Sequence, residues 1–426
     1  MPMLRLFGIG FVLVAASIAW MILGATMEHR TLSQEGELRG DVMELWGNPQ
    51  QQAAPTFEYR KEVMREVEQQ VTDANGLVRT VTQNRMFVEF EPVLPRSTDI
   101  TAELGLDQRL RGLMWYSLYD LRFAGQWTFV HGGDESRELV ITYRFADAQG
   151  LYDDFRFVVD GKDIARELRL SDGRVSHTMM VSPGQKVSLS VGYVTRGLGE
   201  WRYNPGDGVS NLENFKLALQ TDFVEIDYPR GSLSPSTRER TENGWKLQWD
   251  FSQVVTGQGM GLVMPERIQP GELASDLAYS APVSLLLFFV LIYVLATLRG
   301  LDIHPINYVF IAGAFFAFHL LFGYSVDHLE VVPAFVLSSV VSVILVVSYL
   351  RLVVDSRFAF VEAAAGQILY LVGFSLAHFW EGFTGLTVTV LSILTLFVLM
   401  QLTGRVRWSQ VFEGKTSLAA ATPATT

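Results

Sequence analysis

Two ionisable side chains, His319 and Glu362, lie within long apolar runs of this 426-residue chain. Ionisable groups at membrane depth are candidates for function by default, because their burial is costly. If both side chains lined one cavity, the pair could relay protons or ions. We expect the simpler arrangement, in which a neutral His319 is bonded to one neighbouring helix and Glu362 reaches water near the membrane surface.

Recognised catalytic patterns are absent from the sequence. It contains no His-Glu-x-x-His, Gly-x-Ser-x-Gly or P-loop motif, and it has no cysteine. His304 precedes Pro305 at the start of an apolar run, which is typical of a first helical turn at the headgroup level. The histidines and carboxylates at 327–330 and 378–381 suit solvated loops better than a metal site. We therefore expect no catalytic residue, no metal and no cofactor.

Six apolar runs must position these side chains. Each is about 20 residues long, which is enough to cross a bilayer as a helix, and helices satisfy their own backbone groups there. The first run, within residues 1–27, fits an uncleaved anchor better than a signal peptide, because it stays apolar up to any cleavage point. The sequence thus predicts a membrane protein whose six-helix transmembrane bundle contacts the lipid bilayer. The other five runs lie within 279–403, at 279–298, 308–326, 331–350, 358–379 and 384–403.

Charge divides the chain into two kinds of region. The whole formal net charge of −11 lies between Glu28 and Asp276, and the remainder is balanced. The apolar runs exclude a wholly soluble enzyme. Nucleic-acid binding is disfavoured as well, because phosphate neutralisation needs clustered lysine and arginine, whereas the large region is acidic.

Basic residues near the runs predict the orientation of the chain. With the N-terminus in the cytoplasm, Arg5, Arg299, Arg351 and Arg357 all lie inside, and Arg30 is the one exception. Both termini are then cytoplasmic and residues 28–278 are periplasmic. Residues 404–426 form a cytoplasmic tail that we expect to be disordered.

The region 28–278 has the pattern of a β-rich domain. Residues 28–46 show partial helical spacing and extend the first anchor as far as Asn48-Pro49. Beyond them the pattern turns to period two, with a long hairpin around the turn cluster 73–76 and short strands between turn residues. Residues 60–71 are compatible with a strand or with a helix. The strand spacing predicts a large antiparallel β-sandwich-like domain.

Several short motifs resemble the CreD family of bacterial inner-membrane proteins. The resemblance runs almost end to end, in short segments. It implies an inner-membrane protein that is linked to envelope integrity and to tolerance of wall-active antibiotics, with no established catalytic residues. The motifs include Trp-Gly-Asn-Pro-Gln at 46–50, Arg-Leu-Arg-Gly-Leu at 109–113, Phe-Ala-Asp-Ala-Gln-Gly-Leu at 145–151 and Ile-His-Pro-Ile-Asn-Tyr at 303–308.

The family pattern singles out Trp46, Arg109 and Arg111. They could form a contact surface, or the arginines could clamp an anion. The favoured structural alternative is that the arginines pair with carboxylates while Trp46 packs the anchor extension onto the sheet.

The expected function is non-catalytic and acts by interaction in the inner membrane, with protein partners that the sequence does not identify. One alternative is a transporter or channel that uses the bundle, which would need a cavity holding both His319 and Glu362. The other is a membrane-tethered enzyme that acts on envelope substrates, which would need a cleft with convergent acid and base groups.

Overall fold

A computed structural model describes residues 2–72, 78–112, 114–206, 208–380 and 382–404. The chain divides into two compact units. The helical unit comprises Met1–Leu38, Leu110–Met114 and the chain from Ile268 onward, and the sheet unit comprises Arg39–Arg109 and Trp115–Arg267. Residues 405–426, almost all of the tail that we expect to be disordered, lie outside the described residues.

Six helices of the described chain are long and apolar enough to cross a membrane, one at the N-terminus and five at the C-terminus. The predicted fold class, a six-helix membrane protein with a large β-sheet domain, is therefore confirmed. The helices are α1 Pro2–Trp46, α2 Pro270–Arg299, α3 Pro305–Ser325, α4 Val331–Val353, α5 Phe358–Phe379 and α6 Thr384–Thr403.

Helix α1 is continuous through the predicted extension and ends at Trp46, just before Asn48-Pro49. Gly47 stops it with a positive φ of 97°, and its amide donates to the Met43 carbonyl oxygen at 3.0 Å. A left-handed residue at this point is the usual end of a helix, because it closes the last carbonyl groups without a Cβ clash.

Two ion pairs hold α1 within the helical unit. Arg5 pairs with Asp302 between α2 and α3, and Arg30 pairs with Asp327 just after α3. The two arginines are separated by about 38 Å of helix at 1.5 Å per residue. This length is close to the thickness of a bilayer with its headgroups.

The helical core is aromatic. Phe288, Phe315 and Phe318 are fully buried, and Trp20 of α1 joins them. Helix α6 lies at the edge of this core, since Thr395 is its one buried residue in the described chain. Helix α5 is partly buried and irregular, with π-helical turns at Phe358–Ala363 and Ile368–Gly373.

Short and long strands fill the sheet unit. The described strands are β1 Gln50–Ala53, β2 Thr56–Thr72, β3 Val78–Val93, β4 Ser97–Arg111, β5 Met114–Val130, β6 Arg137–Arg144, β7 Tyr152–Val159, β8 Lys162–Asp163, β9 Leu170–Ser171, β10 Arg174–Val181, β11 Lys186–Leu198, β12 Glu200–Asn204, β13 Ser210–Thr221, β14 Thr237–Arg240, β15 Trp245–Thr256 and β16 Met260–Val263.

These strands form three sheets, with the orders β1-β12-β16, β3-β2-β6-β10-β9 and β14-β15-β13-β4-β5-β11-β7-β8. Strands β2 and β3 make the predicted hairpin, so residues 60–71 are strand and not helix. The purely antiparallel expectation is wrong at two places, because β1 pairs with β12 and β4 pairs with β13 in parallel. Parallel partners are distant in sequence and leave no hairpin signal between them.

One hydrophobic core holds the sheet unit together. Strand β5 shows how the core forms, since Leu121, Phe123, Trp127 and Phe129 are buried while Arg122, Ala124 and Gln126 are exposed. Period-two alternation places one face of each strand in the core. The largest fully buried side chains here include Trp201 and Trp249.

Candidate functional site

Two of the resemblance motifs, at 46–50 and 145–151, meet at one cleft of about 490 Å³ in the sheet unit, which we name the Trp46 cleft. It brings the end of α1 together with the loop before β7 and one residue of β11. Its lining residues are Met43, Glu44, Leu45, Trp46, Gly47, Asn48, Asp147, Gln149, Gly150, Leu151 and Arg196.

Two arginines lie against the Trp46 ring. The guanidinium carbon of Arg109 is 3.8 Å from the ring centroid, and that of Arg196 is 5.7 Å away. Arg109 also pairs with Asp107 at 2.7 Å, and Arg196 pairs with Asp120 at 3.0 Å. Cation–π contacts and ion pairs therefore fix both arginines, and neither charge is left without a partner.

Asp147 ties the second motif to the first. Its Oδ2 atom accepts a hydrogen bond from Asn48 Nδ2 at 2.8 Å, and its Oδ1 atom accepts from the amide of Gln149 at 2.9 Å. The hydroxyl of Tyr152 accepts from the Asp147 amide and donates to the Asp147 carbonyl oxygen. Burial raises the pKa of Tyr152 to about 12.

The turn after α1 lies directly against β11. Gln50 Nε2 donates to the Arg196 carbonyl oxygen at 2.7 Å. A Cβ atom at Gly47 would lie 2.9 Å from the same oxygen, so only glycine fits this close approach and its positive φ. Local packing against β11 therefore explains the Trp-Gly-x-x-Gln motif, and the same packing fixes the position of Trp46.

Arg111 and His304 lie elsewhere. Arg111 is the last residue of β4, belongs to the helical unit and is exposed. His304 is exposed at the N-terminus of α3, where its Nδ1 atom accepts a hydrogen bond from the amide of Ile306 at 3.3 Å. Capping of a helix is a structural role, because it satisfies one of the free amides of the first turn.

His319 and Glu362 are not brought together. His319 is 4% exposed and donates from Nδ1 to the Phe315 carbonyl oxygen at 3.0 Å, and its ring meets Trp20 edge-on. Glu362 pairs with Arg299 at the other end of the bundle. His319 interacts electrostatically with His378, which lies about 24 Å along α5 from Glu362 at 1.5 Å per residue.

The interior of α5 holds a polar chain that the sequence analysis did not single out. Gln367 is fully buried and donates from Nε2 to Ser342 Oγ at 2.9 Å, and Ser342 donates in turn to the Ala314 carbonyl oxygen at 2.7 Å. Ser284 of α2 donates to the carbonyl oxygen of Tyr370, inside the second π-helical turn. The available signal was an amide side chain inside an apolar run.

Arg196 was also missed, since it looks like an ordinary surface charge in the sequence, whereas Asp147 was noted only as part of the motif at 145–151. Among the residues that the structure describes, no three histidines, aspartates or glutamates are grouped closely enough to hold a metal ion. Asp327, considered for such a site, pairs with Arg30 instead, and Glu381 lies outside the described residues.

Comparison with known protein families gives a match in the helical region. A family model described as "Inner membrane protein CreD" matches residues 277–409. No curated protein matches the chain. A solved structure of a candidate nutrient-binding protein from Legionella pneumophila is 11% identical with a TM-score of 0.29, covering 45% of this chain and 73% of that chain, and supports no argument about this protein.

The family match spans helices α3 to α6 and most of α2, the region in which the motif at 303–308 resembles CreD. Together with the apolar helices it makes the chain a multi-pass inner-membrane protein in contact with the lipid bilayer. The resemblance to the CreD family of inner-membrane proteins is thereby confirmed at residues 277–409.

Proposed function

We propose that this inner-membrane protein is non-catalytic and supports cell-envelope integrity, including tolerance of wall-active antibiotics, through contacts made at the Trp46 cleft. The observation that carries the proposal is the convergence of motif segments on this cleft. Residues 46–48, Arg109 and Asp147 come from separate parts of the chain, and all contribute to the cleft or to the Trp46 stack.

The chemistry of the cleft favours a contact surface over catalysis. Both oxygens of Asp147 accept hydrogen bonds within the protein, and Arg109 and Arg196 are paired with aspartates. A general base or nucleophile needs a side chain that is free to reach substrate. The rigid Trp46 ring and the two arginines beside it are instead the residue types that dominate binding energy at protein interfaces.

The proposed topology has cytoplasmic termini and residues 28–278 in the periplasm. The charge distribution supports this topology, because Arg5, Arg299, Arg351 and Arg357 lie near helix ends that it places in the cytoplasm. Arg30 is the exception, and it forms an ion pair with Asp327.

Single-cysteine labelling tests this topology cleanly, since the natural chain has no cysteine. In spheroplasts, a membrane-impermeant maleimide is expected to label Asp134→Cys in the sheet unit. Ser356→Cys, which is exposed between α4 and α5, is expected to react only after lysis. The reverse pattern would overturn the orientation.

The functional role is tested by complementation of a deletion strain. We expect the deletion to increase sensitivity to wall-active drugs and detergents, and the natural protein to restore resistance. Trp46→Ala should fail to restore it, whereas Trp380→Ala, which removes an exposed tryptophan outside the cleft, should succeed. A deletion that leaves sensitivity unchanged would refute the envelope role. Equal complementation by both variants would refute the cleft.

A photo-crosslinking residue at Gln149 tests the mode of action in native membranes. Gln149 lines the cleft and is exposed. We expect a discrete crosslinked protein that disappears when Trp46→Ala is combined with the probe. Turnover of an envelope substrate by the purified protein would instead establish the membrane-tethered enzyme.

A further inference from the structure

Helix α5 departs from regular α-helix on both sides of Gln367. Six residues before it, Phe358–Ala363, and six after it, Ile368–Gly373, are π-helical. Turns of this kind are rare inside helices and are often found at functional sites, because they displace backbone groups from the regular ladder. The polar groups along α5 are therefore candidates for a functional role.

Two buried oxygen atoms of α5 have no hydrogen-bond partner among the described residues: Glu362 Oε2 and Gln367 Oε1. His378 lies against the backbone of Phe374 and Ser375 one turn earlier. A buried acceptor without a partner costs about 1–3 kcal/mol. Ordered water is the usual partner for such groups in protein interiors.

Further polar side chains lie on α4 and α5. Ser342 of α4 bonds Gln367, and Ser338, also fully buried, follows about 6 Å along the same helix at 1.5 Å per residue. Ser375 of α5 is 3% exposed and lies one turn before His378. These buried hydroxyl and amide groups lie on α4 and α5, between the level of Glu362 and the level of His378.

Titratable groups stand at both ends of this stretch. At one end Glu362 faces Arg299, its ion-pair partner on α2. At the other end His378 interacts electrostatically with His319 of α3 and Asp276 of α2, and Asp276 interacts with Glu28 of α1. The two ends are separated by about 24 Å of helix, most of the hydrocarbon thickness.

We propose that α5 carries a water-linked proton path through the helical unit, from His378 past Gln367 to Glu362. A proton that arrives at the imidazole of His378 is passed to bound water, and each later step breaks one O–H bond as the next forms. Gln367 and Ser342 hold and orient the water without changing charge. The proton leaves from the carboxyl group of Glu362 to solvent, so no redox partner is needed.

Aromatic packing makes this path slow rather than open. The rings of Phe335 and Phe379 are 5.1 Å apart, and Phe335 also meets Phe318 edge-on at 5.5 Å. Apolar constrictions of this kind limit conduction by excluding water for most of the time. Flux should therefore resemble that of a carrier more than that of a pore.

The test uses the purified full-length protein in liposomes that contain a pH-sensitive dye, with the membrane potential clamped by potassium and valinomycin. After a pH step, we expect proton entry faster than in protein-free liposomes. Gln367→Leu should reduce the rate to that of lipid alone. Thr389→Val, which removes an exposed hydroxyl from α6, should leave it unchanged.

Ser342→Ala provides a second variant in case Gln367→Leu misfolds, and helical circular dichroism verifies the fold of each. It should also abolish the excess flux, because it removes the partner that orients Gln367. Natural protein that conducts no faster than lipid would overturn the proposal. So would undiminished flux in both folded variants. The envelope phenotype does not enter this readout, so failure here leaves the proposed function standing.

Discussion

Two glutamines show how differently the two units treat a buried polar side chain. Gln52 in the sheet unit and Gln367 in the helical unit are both fully buried. Gln52 donates to the carbonyl oxygens of Ala53 and Arg144 at 2.8 and 2.9 Å, and it accepts from the Tyr193 hydroxyl at 2.7 Å. Gln367 makes its single described hydrogen bond to Ser342, and its carbonyl oxygen has no partner among the described residues.

The difference follows from what each kind of backbone leaves unsatisfied. Strand ends and bulges present carbonyl groups that need donors, so a buried amide in a sheet has partners at hand. Transmembrane helices bond their own backbone internally, and a buried amide there must find another side chain or water. At these two positions, hydrogen bonds fix both ends of the Gln52 amide, whereas the Gln367 amide keeps one acceptor without a partner among the described residues.

Alkaline unfolding should separate the units most strongly. Burial raises the pKa of Tyr152 to about 12, and it raises the pKa values of Tyr119, Tyr143 and Tyr193 well above normal. The unfolded chain releases these protons near pH 10, so the stabilisation is complete below pH 10 and is lost as the pH rises towards the folded values.

We therefore expect the β-sheet signal in circular dichroism to disappear above pH 10, together with a cooperative rise in tyrosinate absorbance, while the helical signal persists in detergent. Gradual tyrosine ionisation near pH 10 without loss of sheet would contradict this, since it would mean that the hydroxyls are open to solvent.

Gln52→Leu should be the next largest effect. It leaves the Tyr193 hydroxyl and the Arg144 carbonyl oxygen without their buried partner, at a cost of about 3 kcal/mol for the sheet unit. Urea unfolding followed by tryptophan fluorescence measures it. Gln126→Leu, on an exposed position of β5, is the matched control and should change the free energy of unfolding little. Equal changes in the free energy of unfolding at both positions would mean that the buried hydrogen bonds of Gln52 do not stabilise the sheet unit.

Gln367→Leu should have the smallest effect on stability. The substitution removes one hydrogen bond to Ser342 and one acceptor that has no protein partner, and these two changes nearly cancel, within about 1 kcal/mol. Thermal unfolding of the helical signal in detergent measures it. A loss as large as that of Gln52→Leu would show that Gln367 is fully bonded in the native state and would break the comparison.

The membrane spans could be predicted well because bilayer thickness and backbone satisfaction leave little choice. The runs at 331–350, 358–379 and 384–403 begin at the residues where α4, α5 and α6 begin. The hairpin of β2 and β3 was also predictable, since turn residues and alternation mark it locally.

Other features depend on contacts that no local pattern encodes. Trp46 meets Arg196, and Asn48 meets Asp147, only because distant strands of the sheet unit bring them together. The pairing of His319 with Glu362 was considered because both lie in apolar runs, but a run does not tell at which depth two helices meet. The π-helical turns of α5 have no sequence marker that distinguishes them from ordinary helix.

The two ion pairs of α1 also constrain how the protein is made. Arg5 and Arg30 each precede their aspartate partner by 297 residues. At ordinary synthesis rates the ribosome needs about 15–60 s to cover this length. The first helix therefore waits in the membrane as a lone anchor while the whole sheet unit is translated, and it acquires its partners only when the later helices insert. Assembly of the bundle is thus a late event, because the ion-pair partners of the first helix flank α3 and are made only after the sheet unit.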